Sequence, residues 1–189
     1  MRDDVRRFAA RLGIDARESG ASAPWWESHR LIGIRFPSDY RDLLDAVGPG
    51  SVRGDLAIIS PWPMGESSYR SGGFHVFAEY TAGQVGPAFV EMRSESPDLC
   101  PYAVYPEAGG ILAWASNQNG DHCFWLTEGE NPDTWPIVVW DRGRFPDDPW
   151  RRYDPGIVPF LMGVMFGEDD ELADLAYPSP EVPPWVPGI

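Results

Sequence analysis

The sequence predicts an α+β domain, an antiparallel sheet meander with helices packed mainly on one face. Three observations carry the prediction. Apolar residues recur at helical spacing near both ends of the chain, residues 111–153 break into short apolar segments, and Asn119-Gly120 marks a hairpin between the first two of those segments.

Val5, Phe8, Ala9 and Leu12 share one helical face and Gly13 follows as a stop, which predicts an amphipathic helix over 2–12. Residues 18–24 (Glu-Ser-Gly-Ala-Ser-Ala-Pro) read as a linker. A second helix, 38–47, has Ser38 as its cap, an apolar stripe of Tyr40, Leu43, Leu44 and Val47, and Gly48-Pro49 as its end. The apolar run 56–59 reads as a buried strand stopped by Pro61 and Pro63. Between 73 and 95, helical spacing is interrupted by Gly83, Gly86 and Pro87, which predicts two helical pieces with a break.

Strands follow over 111–115, 121–127 and 135–141. A two-residue type I′ turn at Asn119-Gly120 would place Gln118 opposite Asp121, Ser116 opposite Cys123 and Trp114 opposite Trp125, with Phe124 and Leu126 on the other face. An acidic loop, 128–133, precedes the third strand, a second loop spans 144–149, and 150–153 forms a short strand. Residues 160–166 are apolar on all sides and read as a buried helix, with Pro159 in its first turn and Gly167 at its end. The run 168–171 (Glu-Asp-Asp-Glu) would start a further short helix bearing Leu172 and Leu175, and the Pro-rich tail would be extended. The organisation is therefore an N-terminal helix and linker (1–24), a main domain (25–176) and a tail (177–189).

Composition narrows the function. With 189 residues, 43% of them hydrophobic, and 9 Trp, 7 Tyr and 9 Phe, the chain can bury a core without disulfide or metal support. Its net charge is −14, and the excess is confined to residues 61–189, where six Arg face twenty acids; residues 1–60 balance nine against nine. Such a surface repels nucleic acid and anionic membranes and favours a basic partner. Cys100 and Cys123 form no metal-ligand spacing and no disulfide framework, which fits a reducing compartment. No apolar leader stands at the start and no run reaches the roughly 18 apolar residues of a membrane span, so the expectation is a cytoplasmic protein.

Catalytic patterns are missing, and the reading is a binding protein. Asp121-His122-Cys123 is the one cluster of metal-ligand types, but consecutive strand residues point to opposite faces, so no metal site is expected. The sequence has no Gly-x-Ser-x-Gly elbow, His29, His75 and His122 sit in no recognisable triad motif, and Gly48-Pro-Gly50 lacks the Lys and Ser or Thr of a phosphate cradle. Acid pairs such as Asp147-Asp148 read as solvated loop residues rather than a glycosidase pair. Seven of the nine tryptophans follow residue 60, and exposed ones could stack on sugars.

The ordered segments Phe36-Pro-Ser-Asp-Tyr-Arg-Asp-Leu-Leu44, Gly48-Pro-Gly50, 56–61 and Tyr102-Ala-Val-Tyr-Pro-Glu-Ala-Gly-Gly110 resemble the SUKH superfamily of bacterial immunity proteins and fungal cell-wall-synthesis regulators. Leu112-Ala-Trp114, Asn119-Gly-Asp121, Phe124-Trp125, Asp133-Thr-Trp-Pro136, 137–140 and 156–167 extend the resemblance over about residues 25–168. It implies an α+β fold without catalytic residues and with no required cofactor, and a protein that neutralises a toxin, often a nuclease. Pro37, Asp39 and Tyr40 then correspond to the helix-opening motif, and Gly120, Asp121 and Trp135 to the hairpin region. Pro37, Asp39, Tyr40, Trp114, Gly120, Trp125 and Trp135 are expected to maintain the fold. Asp121 and the loop acids Glu128, Glu130, Asp133, Asp147 and Asp148 are expected to contact a basic protein toxin encoded nearby. A regulatory scaffold without a toxin, or a carbohydrate-binding module, are the alternatives.

Overall fold

The structure is a computed structural model describing residues 1–15, 22–62, 72–167, 172, 174–176 and 181–188. Along the chain lie α1 (Asp3–Arg11), α2 (Trp25–Ile32), α3 (Ser38–Val47), β1 (Gly50–Val52), β2 (Leu56–Ile58), α4 (Gly73–Glu79), a π-helical turn (Tyr80–Val85) and α5 (Gly86–Glu95). There follow β3 (Ile111–Ser116), β4 (His122–Leu126), β5 (Ile137–Trp140), β6 (Trp150–Tyr153), α6 (Ile157–Phe166) and β7 (Trp185–Pro187), with short 3-10 turns at Pro132–Thr134 and Arg142–Arg144. Residues 18–21 of the predicted linker, the acidic run 168–171 and tail residues 177–180 lie outside the described residues.

The strands form one antiparallel sheet in the order β6-β5-β4-β3-β2-β1-β7. Strand alternation sorts its side chains into two layers. Leu112, Trp114, Cys123, Trp125, Ile137 and Val139 face the larger layer, formed by α1, α2, α3, α4 and α6. Ile111, Ala113, Phe124, Leu126, Val138 and Trp140 face the smaller one, where Val85 and Phe89 at α5 cover them together with Cys100 and Val104. The two ends of the chain join the larger layer. Val5, Phe8 and Ala9 of α1 are buried there, and β7 extends the sheet by pairing with β1, its Trp185 ring 6.3 Å from that of Phe8. Gly50 permits this pairing, because a Cβ there would stand 2.6 Å from the Trp185 ring.

Local detail departs from the sequence reading in three places. The β3–β4 turn is wider than predicted: Ser116 pairs with His122 and Ala115 with Cys123, one residue off the expected register, and Leu112 pairs with Trp125, two residues off it. Asn117 closes the turn by donating from Nδ2 to Asp121 Oδ2 at 2.7 Å and accepting at Oδ1 from the Asp121 N–H at 2.9 Å. A register shift between Ala113 and Ala115 then returns Trp114 to the side of Trp125, so the two rings stack at 5.9 Å as expected although their backbones are not paired. A turn with positive φ at both central residues occurs instead between β1 and β2, at Arg53 (φ 53°) and Gly54 (φ 72°). Arg53 is held there by its side chain, which donates to the Met165 carbonyl near the end of α6.

The second departure is the break at Gly83, Gly86 and Pro87. The helix does not stop; it widens into the π turn, and Pro87 enters α5 in its first turn. A proline there lacks the N–H for a regular helical bond and crowds the preceding carbonyls, which the looser turn relieves. The third is the cap of α3. Ser38 is its first helical residue and its side chain does not cap the helix; its N–H donates to Asp133 Oδ1 at 2.5 Å. Helix α6 is buried as predicted, with Pro159 in its first turn, but starts at Ile157. Among the described residues no helix is long and apolar enough to cross a membrane.

Candidate partner-binding surface

The six acids expected to contact a partner do not form one patch. The β4–β5 connection carries Glu128, Glu130 and Asp133, whereas Asp121, Asp147 and Asp148 belong to the β3–β4 and β5–β6 connections at the opposite end of the sheet. A strand of five residues, the length of β4, separates the two ends by roughly 15 Å.

Their roles also differ. Asp121 is 7% exposed, and besides its bond to Asn117 its Oδ1 accepts the Arg142 N–H at 2.8 Å. It ties the hairpin to the 3-10 turn after β5, so a packing need, invisible locally, explains a carboxylate at this position. Asp133 is exposed but spends one oxygen at the start of α3, where the helix dipole favours a carboxylate. Glu128 is exposed and accepts from Arg152 at 2.8 Å. Glu130, Asp147 and Asp148 are exposed, and among the described residues their carboxylates have no ion-pair partner.

The motif residues build the larger layer. Pro37 precedes α3, and Tyr40 is fully buried, its hydroxyl donating to the Ile59 carbonyl at 2.5 Å. Trp125 meets Tyr40 edge-on at 4.9 Å. Trp135 Nε1 donates to the Gly129 carbonyl at 3.1 Å and so shapes the acidic loop. Gly120 takes φ 89°, with Arg142 Cδ 3.0 Å from where a Cβ would be.

Asp39, 5% exposed, accepts the Tyr40 N–H at 2.8 Å and the Ile157 N–H at 2.6 Å, capping α6 from α3. Burial pushes its carboxyl above the ordinary 3.8, against the opposing pull of the Ile157 and Tyr40 N–H groups and of Arg2. The folded protein therefore binds this proton at a higher pH than the unfolded chain does. The stability contributed by protonating Asp39 is present below 3.8 and is lost as pH rises through the folded value. Asp39→Ala is expected to cost about 1–3 kcal/mol at neutral pH by leaving a buried N–H unpaired. In urea unfolding the deficit should widen as pH falls through that window; a deficit that stays constant would contradict the assignment.

Residues that sequence reading passed over complete the end of the sheet near Glu130. Trp26 on α2 is 79% exposed, while its neighbour Trp25 is half-buried and donates from Nε1 to Asp45 Oδ1 at 3.0 Å. The signal was present: adjacent tryptophans on one helix point about 100° apart, so the pair cannot share one buried face. A groove of about 330 Å³ lies between Trp26, His29, Arg35 and Asp133. A second, of about 570 Å³, lies between His29, Arg35, Tyr105, Glu107 and Glu130. Charge at this end is mixed, since Arg35 is exposed there and Glu128 and Glu107 are paired with Arg152 and Arg93. The remaining tryptophans are mainly scaffold: Trp62, Trp114, Trp125, Trp135, Trp140 and Trp185 are all buried.

The Asp121-His122-Cys123 cluster is divided by the sheet. His122 packs edge-on under Phe89, with ring centroids 5.6 Å apart, while Cys123 enters the opposite layer. Burial holds the His122 imidazole below its ordinary value and pushes the Cys123 thiol far up. Among the described residues no three His, Cys, Asp or Glu side chains are grouped to hold a metal ion.

Helix order, sheet and surface together define an α+β domain of the SUKH kind. The profile of the SUKH_6 family, described as SMI1-KNR4 cell-wall, matches residues 27–155, and the chain belongs to that family. The match runs from α2 to just beyond β6; α1, α6 and β7 lie outside it yet pack on the same core. No curated protein and no solved structure matched the chain.

Proposed function

We propose that the chain is a non-enzymatic, cytoplasmic immunity-type protein that binds and neutralises a basic protein toxin encoded beside it. SUKH proteins include immunity proteins and SMI1/KNR4 regulators. The observation that carries the reading within that range is the surface: a chain of net charge −14 displays an exposed Trp26 and an exposed Glu130 on neighbouring grooves at one end of its sheet. Exposed aromatic anchors surrounded by charge are the usual makings of a tight protein interface. A nuclease is the toxin class that the net charge favours, because its substrate site is basic and exposed carboxylates such as Glu130 can occupy it as phosphate does.

The test is co-expression with the adjacent gene. Growth arrest by that product, relieved by the wild-type chain and not by one carrying Trp26→Ala and Glu130→Lys, is the expected result. Relief that is equal with both forms would remove this surface from the reading. An adjacent product without toxicity would favour the second reading, a regulatory scaffold, which the cell-wall description of the matched family supports.

A further inference from the structure

A different face combines exposed acids with exposed apolar surface. Between α5 and residues 104–107 runs an open groove of about 820 Å³, with walls formed by Ala82, Pro87, Val90, Val104, Tyr105 and Pro106. The inner side of α5 is committed to the core through Phe89, 3% exposed, whereas Val90 beside it is 53% exposed. Two small residues line the groove: Ala82 lies in the π turn, and Gly86 sits so close to its neighbours that a Cβ there would stand 3.2 Å from the Thr81 carbonyl and 3.4 Å from Val104. Glu91, Glu95 and Asp98 on or just after α5 are exposed and have no ion-pair partner among the described residues, while Arg93 is occupied by Glu107 at 3.1 Å.

We propose that this groove seats a nonpolar anchor carried on a basic segment of the partner protein. The inference rests on the reading that the partner is a basic protein, and it names the part of that partner that docks. Charge selects the occupant. A second copy of the chain would bring Glu91 and Glu95 against the same acids, and an anionic lipid or nucleic acid would be repelled, whereas a cationic chain with apolar side chains satisfies both rim and floor. Continuity supports it as well, since Tyr105, Pro106 and Glu107 wall both this groove and the one beside Glu130. A partner drawn to Glu130 thus meets the apolar groove across one ridge.

The full chain would be titrated with an 18-residue amphipathic peptide of Leu and Lys, with a Ser/Lys peptide of equal charge and a Leu/Glu peptide as controls. The Leu/Lys peptide is expected to bind at least tenfold more tightly than either control. It should also slow hydrogen exchange over 86–95 and 104–107. Val90→Asp is the deciding variant, because it adds negative charge and removes apolar surface. Tenfold weaker binding of the Leu/Lys peptide supports the groove, and unchanged or tighter binding means that charge alone governs and overturns it. Ala82→Asp repeats the test from the opposite wall should Val90→Asp lower the melting temperature. Protection confined to residues 128–136, no binding of any peptide, or self-association through α5 would each overturn the groove. None of these results bears on whether co-expression relieves a toxin, so the two readings fail separately.

Discussion

Trp125→Ala is expected to remove about 3–5 kcal/mol of folding stability, a large share of the roughly 5–15 kcal/mol that holds an ordinary domain together. Trp125 is 1% exposed and stands where three parts of the larger layer meet: Tyr40 of α3 at 4.9 Å, Phe36 at 6.2 Å and Trp114 of β3 at 5.9 Å. These neighbours are themselves held. Tyr40 is fixed by its hydroxyl on Ile59, and Phe36 stacks on Tyr40 and meets Phe77 edge-on. They cannot collapse into the void left by an indole, which is the situation in which truncation costs most. Urea unfolding followed by near-ultraviolet circular dichroism measures the loss, and a value below about 1 kcal/mol would show that the layer repacks. Trp26→Ala supplies the internal control, since a side chain 79% exposed should change stability by no more than about 0.5 kcal/mol.

Reversal of the loop charge, Glu128→Lys with Glu130→Lys, is expected to slow association with the proposed basic partner by about tenfold at low salt and to change dissociation far less. The expectation is specific to these two positions. Glu130 has no ion-pair partner among the described residues, so its reversal alters only the field, and Glu128 forms an exposed pair with Arg152 whose loss costs little stability. Asp133 belongs in a separate experiment, because its carboxylate accepts the Ser38 N–H and its replacement would fray α3. Stopped-flow association over a range of ionic strength reads the effect. An association rate that neither falls on reversal nor depends on salt would remove the loop from the encounter.

Much of the architecture was legible because it is written in local periodicity. The apolar stripe of α3, the all-round apolar α6, and the separation of Trp125 from Phe124 and Leu126 across the sheet follow from spacing alone. The exact β3–β4 register was not legible, although Asn119-Gly120 favours a tight turn. What widens the turn is Asp121, drawn to Asn117 and to the Arg142 backbone, and Arg142 becomes its neighbour only once β5 has paired. The structural ties of two acids of the candidate site were hidden for the same reason. Asp121 and Asp133 look like free loop carboxylates until the elements they serve have folded next to them. The groove on α5 was hidden as well, because helical spacing identifies Phe89 as buried but does not reveal that Val90 is left 53% exposed.

Three carboxylates cap or brace backbone that lies far along the chain: Asp133 holds Ser38 across 95 positions, Asp39 holds Ile157 across 118, and Asp121 holds Arg142 across 21. None of these bonds can form while its helix or hairpin stands alone. The start of α3 has no acceptor until the β4–β5 connection is in place, and the start of α6 has none until α3 is docked. Helix and sheet are thereby made conditional on each other. A half-folded chain exposes frayed helix starts and gains little from any single element, which favours an all-or-none transition over a gradual one.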